Sequence, residues 1–158
     1  MAKARIIDRD QGAKKLAARL RSGGASLTVG IHEDDGGDVH PSSDLTIAEI
    51  GAVHEFGAPV VNVPERSFLR SFVDENESKI RKSQKRIAEM VVQGQLPSIE
   101  AGLDRLGLTL VGQIQENIRA GIPPELQPKT VARKGSSVPL IDTAAMISAI
   151  THRVEPAK

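Results

Sequence analysis

Histidine and carboxylate side chains could bind a divalent cation at one place in this chain. His32 and His40 flank a run of acidic residues, namely Glu33, Asp34, Asp35 and Asp38. A calcium-binding loop would need a bidentate glutamate at its twelfth position, and counting from Asp34 that position is Leu45. We therefore predict a solvated acidic loop over residues 33–44, without a metal.

The His54-Glu55 pair is a second candidate metal site. A zincin motif needs a second histidine four residues after the first, so that both rings lie on one helix face and bind zinc together. Position 58 is alanine, which cannot bind zinc. We therefore interpret the pair as part of a helix end, with His54 packed beside Phe56.

The sequence carries no motif of a nucleophilic enzyme or of a phosphate-binding loop. It has no cysteine, which excludes thiolate nucleophiles and thiolate metal ligands. A Gly-x-Ser-x-Gly nucleophile elbow is missing, and neither Gly30 nor Gly36-Gly37 is followed by the Lys-Ser or Lys-Thr that would hold a phosphate. We predict that the protein is not an enzyme and takes no cofactor.

The charges are segregated along the chain although the net charge is only +1. Residues 1–21 carry seven Lys/Arg and two Asp, whereas residues 33–55 carry seven Asp/Glu and no Lys/Arg. Residues 79–86 carry five Lys/Arg and no acidic residue. This pattern suits a subunit that docks its acidic face on the basic face of another copy. The alternative is a set of separate solvated faces.

Phosphate contact is possible through a later basic cluster. Lys129, Arg133 and Lys134, together with Arg119, could contact a phosphate backbone by charge alone. The chain has no Trp and no Tyr, so it lacks the rings on which single-stranded bases usually stack. The sequence leaves non-specific contact with DNA open as a possibility and does not predict sequence-specific contact.

The elements that must position these residues form one domain of the α+β class. At 158 residues the chain fits a single domain, with a possible N-terminal arm (residues 1–9) and two long loops (residues 33–44 and 121–139). Alternating residues predict strands over residues 25–32 and 151–154, and helical spacing predicts helices over residues 10–22, 46–56, 65–93 and 98–120. We predict a small antiparallel or mixed sheet packed by two long helices, with extended loops and no membrane-spanning segment.

All three aromatic residues lie within residues 47–73. We predict that Phe56, Phe68 and Phe72 belong to the core. Between them, residues 59–64 are predicted to form an extended connector. Its three valines, Val60, Val61 and Val63, are available for a sheet edge or a partner surface.

Two helical details refine this scheme. Thr46 and Glu49 have the spacing of a capping box, and Gly57 is predicted to end the helix that they begin as a left-handed cap. Gly102 and Gly107 lie inside the second long helix, where glycine costs about 0.8–1 kcal/mol relative to alanine. They indicate that another backbone approaches this helix closely.

Three segments, in the same order, resemble a family of tailed-bacteriophage neck or tail-completion proteins, also described as putative tail-component or virion morphogenesis proteins. The segments are Ala52-Val53-His54-Glu55-Phe56-Gly57-Ala58, Val63-Pro64-Glu65-Arg66-Ser67-Phe68-Leu69, and Pro128–Lys134 followed by Val138–Ala144. The resemblance covers about residues 44–154. It departs from the family pattern at His54, Ala58, Ser67 and Ala144, where an aromatic residue, Thr, Pro and Gly are common.

The resemblance implies a structural protein of the virion. Such a protein forms an oligomeric ring, of six or twelve copies, at the head–tail junction, is assembled in the host cytoplasm and performs no catalysis. Its partners would be connector or head-closure proteins and tail tube or terminator proteins. The interaction residues expected on this basis are Val60, Val61, Val63, Arg66, Lys129, Arg133 and Lys134.

Two alternatives stay open at this point. Within the same family, the chain could be a tail terminator that caps the tail tube. In another class, it could be a DNA-contacting or metal-dependent accessory protein. A further expectation is that the corner from Arg66 to Phe68 anchors the first long helix on the core.

Overall fold

The structure is a computed structural model that describes residues 24–39, 44–125 and 145–156, together with Gly12, Lys14 and Ala17. Its elements are β1 (Ala25–Ile31), α1 (Glu33–Gly36), α2 (Ile47–Phe56), a 3-10 turn (Pro59–Val61), α3 (Arg70–Val92), α4 (Ile99–Ala120), α5 (Ala145–Ser148) and β2 (Ile150–Pro156). The proposed arm and most of the predicted helix over residues 10–22 lie outside the described residues.

The two strands form an antiparallel sheet. Ala25 lies opposite Pro156, and Ile31 lies opposite Ile150. Leu27 packs against the hydrophobic core, as expected from the alternation of apolar and polar residues in β1. Both strand predictions are confirmed, and so is the α+β class with a small antiparallel sheet. Of the two long helices, α4 packs directly on the sheet, whereas α3 packs mainly on α4.

Helix α4 is the centre of the core, because it packs against both strands and against α3. One stripe of its side chains is buried at spacings of three and four residues: Leu103, Leu106, Leu110, Ile114 and Ile118. The hydroxyl of Ser98 accepts a hydrogen bond from the Ala101 N–H at 3.3 Å and caps the helix. The predicted position, cap and apolar stripe of this helix are confirmed.

The two glycines of α4 make room for side chains and not for another backbone. A Cβ atom on Gly107 would lie 2.3 Å from Cδ2 of His152, and one on Gly102 would lie 2.3 Å from Cγ2 of Ile87. The His152 ring, packed on Gly107, also reaches Asp104 with Nε2 3.0 Å from Oδ1. Close approach was predicted correctly, but the approaching atoms belong to β2 and α3 side chains.

Helix α3 begins at Arg70, five residues later than predicted. Residues 65–69 precede it outside any helix, and Leu69 at the N-cap position gives no side-chain hydrogen bond to the helix. Phe68 and Phe72 are buried, with 1% and 7% exposure, which confirms the predicted anchoring of this corner on the core. The prediction was wrong for Phe56, which is 66% exposed.

The two long loops contain more structure than predicted. Within residues 33–44, α1 forms a helical turn and Val39 pairs with Thr46 in an antiparallel bridge. Within residues 121–139, Ile122 is buried, and the rest of that loop beyond residue 125 lies outside the described residues. In the part of the chain that the structure describes, no helix is long and apolar enough to cross a membrane.

We expect Phe68→Ala to lower the free energy of unfolding by about 3–5 kcal/mol, because it removes a fully buried ring and leaves a cavity. Phe56→Ala deletes the same atoms from an exposed position and should cost less than about 1 kcal/mol. Chemical denaturation of both variants at one pH measures the difference. Equal losses for the two variants would contradict the assignment of Phe68 to the core and of Phe56 to the surface.

Candidate assembly surface

A buried carboxylate joins the end of α2 to the start of α3. One oxygen of Glu55, Oε2, accepts hydrogen bonds from the N–H groups of Phe68 at 2.8 Å and Leu69 at 2.9 Å. The other, Oε1, accepts from the Ser67 hydroxyl at 2.7 Å and from the Arg70 N–H at 2.9 Å. Glu55 thus caps α3 from another helix, and its negative charge lies at the positive end of the α3 dipole.

The electrostatics of Glu55 favour its ionised form. Burial raises the pKa of the Glu55 carboxyl, but the hydrogen bonds from Leu69, Ser67, Arg70 and Phe68 lower it by more. The net pKa therefore lies below the ordinary value of a glutamate. Glu55 therefore has a structural role at this helix end.

Arg66 extends the same corner to the segment after α4. Its Nε donates to the Pro124 carbonyl at 2.8 Å, and its Nη2 donates to the Glu125 carbonyl at 3.3 Å. The side chain is only 5% exposed, and burial lowers the pKa of its guanidinium. The prediction of Arg66 as a partner contact was therefore wrong, because the guanidinium is used inside the subunit.

The predicted extended connector is a closed turn. The Ala58 N–H donates to the Val63 carbonyl at 2.8 Å, and the Val63 N–H donates to the Ala58 carbonyl at 3.1 Å. A 3-10 turn at Pro59–Val61 and a left-handed Asn62, with φ of 57°, complete the reversal. Asparagine accepts this conformation more readily than most residues.

Gly57 connects α2 to this turn with a positive φ of 73°. A Cβ atom at this position would lie 2.8 Å from the backbone nitrogen of Glu65, so both the conformation and the space require glycine. The prediction that Gly57 ends the helix is confirmed, but its ψ of 164° lies outside the left-handed helical region that was predicted. The turn is therefore fixed at its base by a glycine and by two backbone hydrogen bonds.

Three large apolar side chains are exposed at and beside this turn, and we define them as the apolar tip: Phe56, Val60 and Val61. Val60 is 98% exposed and Val61 is 67% exposed, whereas Val63 is partly buried at the base. The Arg70 guanidinium lies 6.0 Å from the centroid of the Phe56 ring, within reach of a cation–π contact, and pairs with Glu65. The tip is thus a candidate surface for another protein.

Two carboxylates of the acidic stretch after β1, Asp34 and Asp35, join α1 to β2. Asp35 Oδ2 accepts from the Thr151 hydroxyl at 2.6 Å, so Nδ1 of His32 must donate to that hydroxyl, 2.9 Å away. Arg153 Nη2 donates to Asp34 Oδ2 at 2.7 Å.

The surroundings of His32 favour the neutral form of its ring. Burial and the nearby Arg153 lower its pKa below the ordinary value, despite the opposing effect of Asp35 and Asp34. Among the described residues, no group of three His, Asp or Glu side chains is placed to hold a metal ion. His40 lies outside those residues.

Helix α3 presents the basic stretch of residues 79–86 to solvent. Arg81 pairs with Glu77 at 2.7 Å, as the spacing predicts, whereas Lys79 donates to Asn76 at 3.1 Å. Lys82, Lys85 and Arg86 are exposed. Of the phosphate-contact residues predicted from sequence, Arg119 is exposed near the end of α4, and Lys129, Arg133 and Lys134 lie outside the described residues.

We expect Glu55→Gln to lower the free energy of unfolding at neutral pH by about 2–4 kcal/mol, because a neutral amide offers one acceptor oxygen where the carboxylate satisfies four donors. Because the pKa of Glu55 is depressed in the folded state, its contribution is complete above the unfolded pKa of about 4.3. That contribution is lost as the pH falls through the folded pKa.

The difference in stability between wild type and Glu55→Gln should therefore shrink on acidification. Denaturant titrations from neutral to acidic pH measure it, and Glu75→Gln on the exposed face of α3 is the matched control. A difference that stays constant below pH 4 would show that the carboxylate charge is not what stabilises the corner.

Comparisons with protein-family models, with curated proteins and with solved structures found no match for this chain. No relative therefore supplies an activity, a partner or a site for these residues.

Proposed function

We propose that this protein is a non-enzymatic structural protein of a tailed-bacteriophage virion that assembles as a ring at the head–tail junction. The observation that carries the proposal is the apolar tip, a set of exposed apolar side chains held out by the buried corner of Glu55 and Arg66. Connector or head-closure proteins on one side and tail tube or terminator proteins on the other would be its partners.

The tip supports an assembly role because its exposure is unfavourable in water and is structurally enforced. Covering a valine or phenylalanine side chain is worth roughly 1.5–3 kcal/mol. Single exposed apolar residues are ordinary on protein surfaces, whereas three large ones on and beside one turn suit a contact surface. A preformed turn also loses little conformational freedom on binding, which favours affinity.

The choice of a phage neck rests on the three sequence segments that resemble neck and tail-completion proteins. Two of these segments meet at the corner, since Glu55 belongs to the first and its donors Ser67 and Phe68 belong to the second. Their spatial contact gives a physical reason for the pair of segments to occur together. The same argument applies to a tail terminator, which differs from a neck protein in the partner that it binds.

A second candidate role, contact with passing DNA, is favoured by the basic stretch on α3. Lys82, Lys85 and Arg86 are exposed, and no ion pair within the described residues involves them. Such a helix face can neutralise phosphates without reading bases. In a ring, this contact would accompany assembly and would not replace it.

We expect the purified protein to assemble into a particle of six or twelve copies of the 16.9 kDa chain, alone or with a connector protein. Size-exclusion chromatography with light scattering measures the mass. Electron microscopy of the same fraction tests for a ring. A protein that stays monomeric at every concentration and with the connector present would contradict the proposal.

We expect Lys85→Glu to weaken duplex binding and to reduce the slope of log affinity against log salt concentration by about one, if α3 contacts phosphates. Arg105→Glu, an equal charge change at an exposed position of α4, is the control and should leave the slope unchanged. Fluorescence anisotropy with duplexes of unrelated sequence measures both. Equal effects of the two substitutions would count against a specific role for α3.

A further inference from the structure

A second exposed apolar surface lies at the opposite end of α2 from the tip. Val39 is 62% exposed and Leu45 is 43% exposed, and both precede the first residue of α2. The bridge between Val39 and Thr46 holds the two stretches together. We define Val39, Leu45 and the flanking Asp38 and Asp44 as the acceptor patch.

The tip and the patch are separate surfaces. Helix α2 has ten residues, so its ends are about 15 Å apart at 1.5 Å per residue. The tip follows the last turn of the helix, and the patch precedes its first turn. One copy can therefore offer its tip to a neighbour while its patch receives the tip of another.

The charges of the two surfaces decide which pairing is favourable. Asp38 and Asp44 are exposed, and no ion pair within the described residues involves them. Two patches facing each other would bring these carboxylates together, which is unfavourable. The Arg70 guanidinium lies beside Phe56 of the tip, is exposed and pairs with Glu65 inside the subunit. A guanidinium has five N–H donors, so Arg70 can also face a carboxylate of the patch while the apolar groups come into contact.

We propose that the apolar tip of one copy docks on the acceptor patch of a second copy, in a head-to-tail contact. The inference rests on the proposed function, since it names the surfaces by which the subunits of the ring would join. A head-to-tail contact uses two different surfaces and repeats around a closed ring when its rotation closes. The tip and patch supply the apolar centre of that interface, and flanking charged residues supply its rim.

Two substitutions remove the two surfaces separately. Val60→Asp places a charge on the tip, and Val39→Asp places one on the patch. Both side chains are exposed, so both variants should keep the wild-type melting temperature and circular dichroism. Val92→Asp, at an exposed position at the end of α3, is the matched control and should assemble as the wild type does.

Each variant alone should be monomeric by light scattering, and an equimolar mixture should form a heterodimer of twice the chain mass and nothing larger. The reason is that Val39→Asp keeps its tip and Val60→Asp keeps its patch, so the pair can form one contact and cannot extend it. The milder variants Val60→Ser and Val39→Ser should each raise the concentration needed for assembly roughly tenfold or more. They test the same surfaces if an aspartate disturbs folding.

Three results would overturn the inference. If both aspartate variants assemble like the wild type, the tip faces a different protein, although the proposed ring stands. If only the tip variant is monomeric, or if the two monomeric variants do not form a heterodimer when mixed, the tip meets something other than the patch. If the wild type itself stays monomeric with and without a connector protein, the proposed function fails together with the inference.

Discussion

The structure depends most on the carboxylate of Glu55 at the start of α3. That helix has no side-chain cap of its own, and Glu55 accepts hydrogen bonds from the N–H groups of the two residues that precede it and of its first residue, as well as from the Ser67 hydroxyl. Because residues 55 and 68 are held in contact, the twelve residues between them must leave the core and return. The turn at Ala58–Val63 and its exposed valines are a direct consequence.

At position 55 a carboxylate supplies hydrogen-bond acceptors that an apolar side chain could not supply. Burying a carboxylate is costly, and here four directed hydrogen bonds and the α3 dipole offset the cost. An apolar side chain would fill the space but would leave the N–H groups of Phe68, Leu69 and Arg70 without this acceptor. Arg66 applies the same principle to the carbonyls of Pro124 and Glu125. The hydrogen bonds of Glu55 and Arg66 are directional, so they orient the corner relative to α2 and to the segment that follows α4.

Features encoded by neighbouring residues could be predicted from the sequence, and features that depend on distant contacts could not. The capping box at Thr46 and the apolar stripe of α4 need only local spacing, and both are present as predicted. The buried positions of α2 are Ile47, Gly51 and Glu55, so its stripe ends on a carboxylate. Phe56 is the next residue, so its side chain lies about 100° around the helix axis from that of Glu55 and faces solvent. The aromatic side chain of Phe56 indicated a core residue, but the hydrogen bonds of Glu55 to residues 67–70 turn the neighbouring Phe56 toward solvent.

The contrast between neighbouring and distant contacts also changes the interpretation of the segregated charges. Sequence alone presents residues 33–55 as one acidic face for a partner, yet much of that charge is used within the subunit. Asp34 and Asp35 join α1 to β2 through Arg153 and Thr151, and Glu55 caps α3. The carboxylates left beside exposed apolar residues are those next to Val39 and Leu45. An acidic binding surface is therefore better identified by the carboxylates that folding leaves unpaired than by the total charge of a segment.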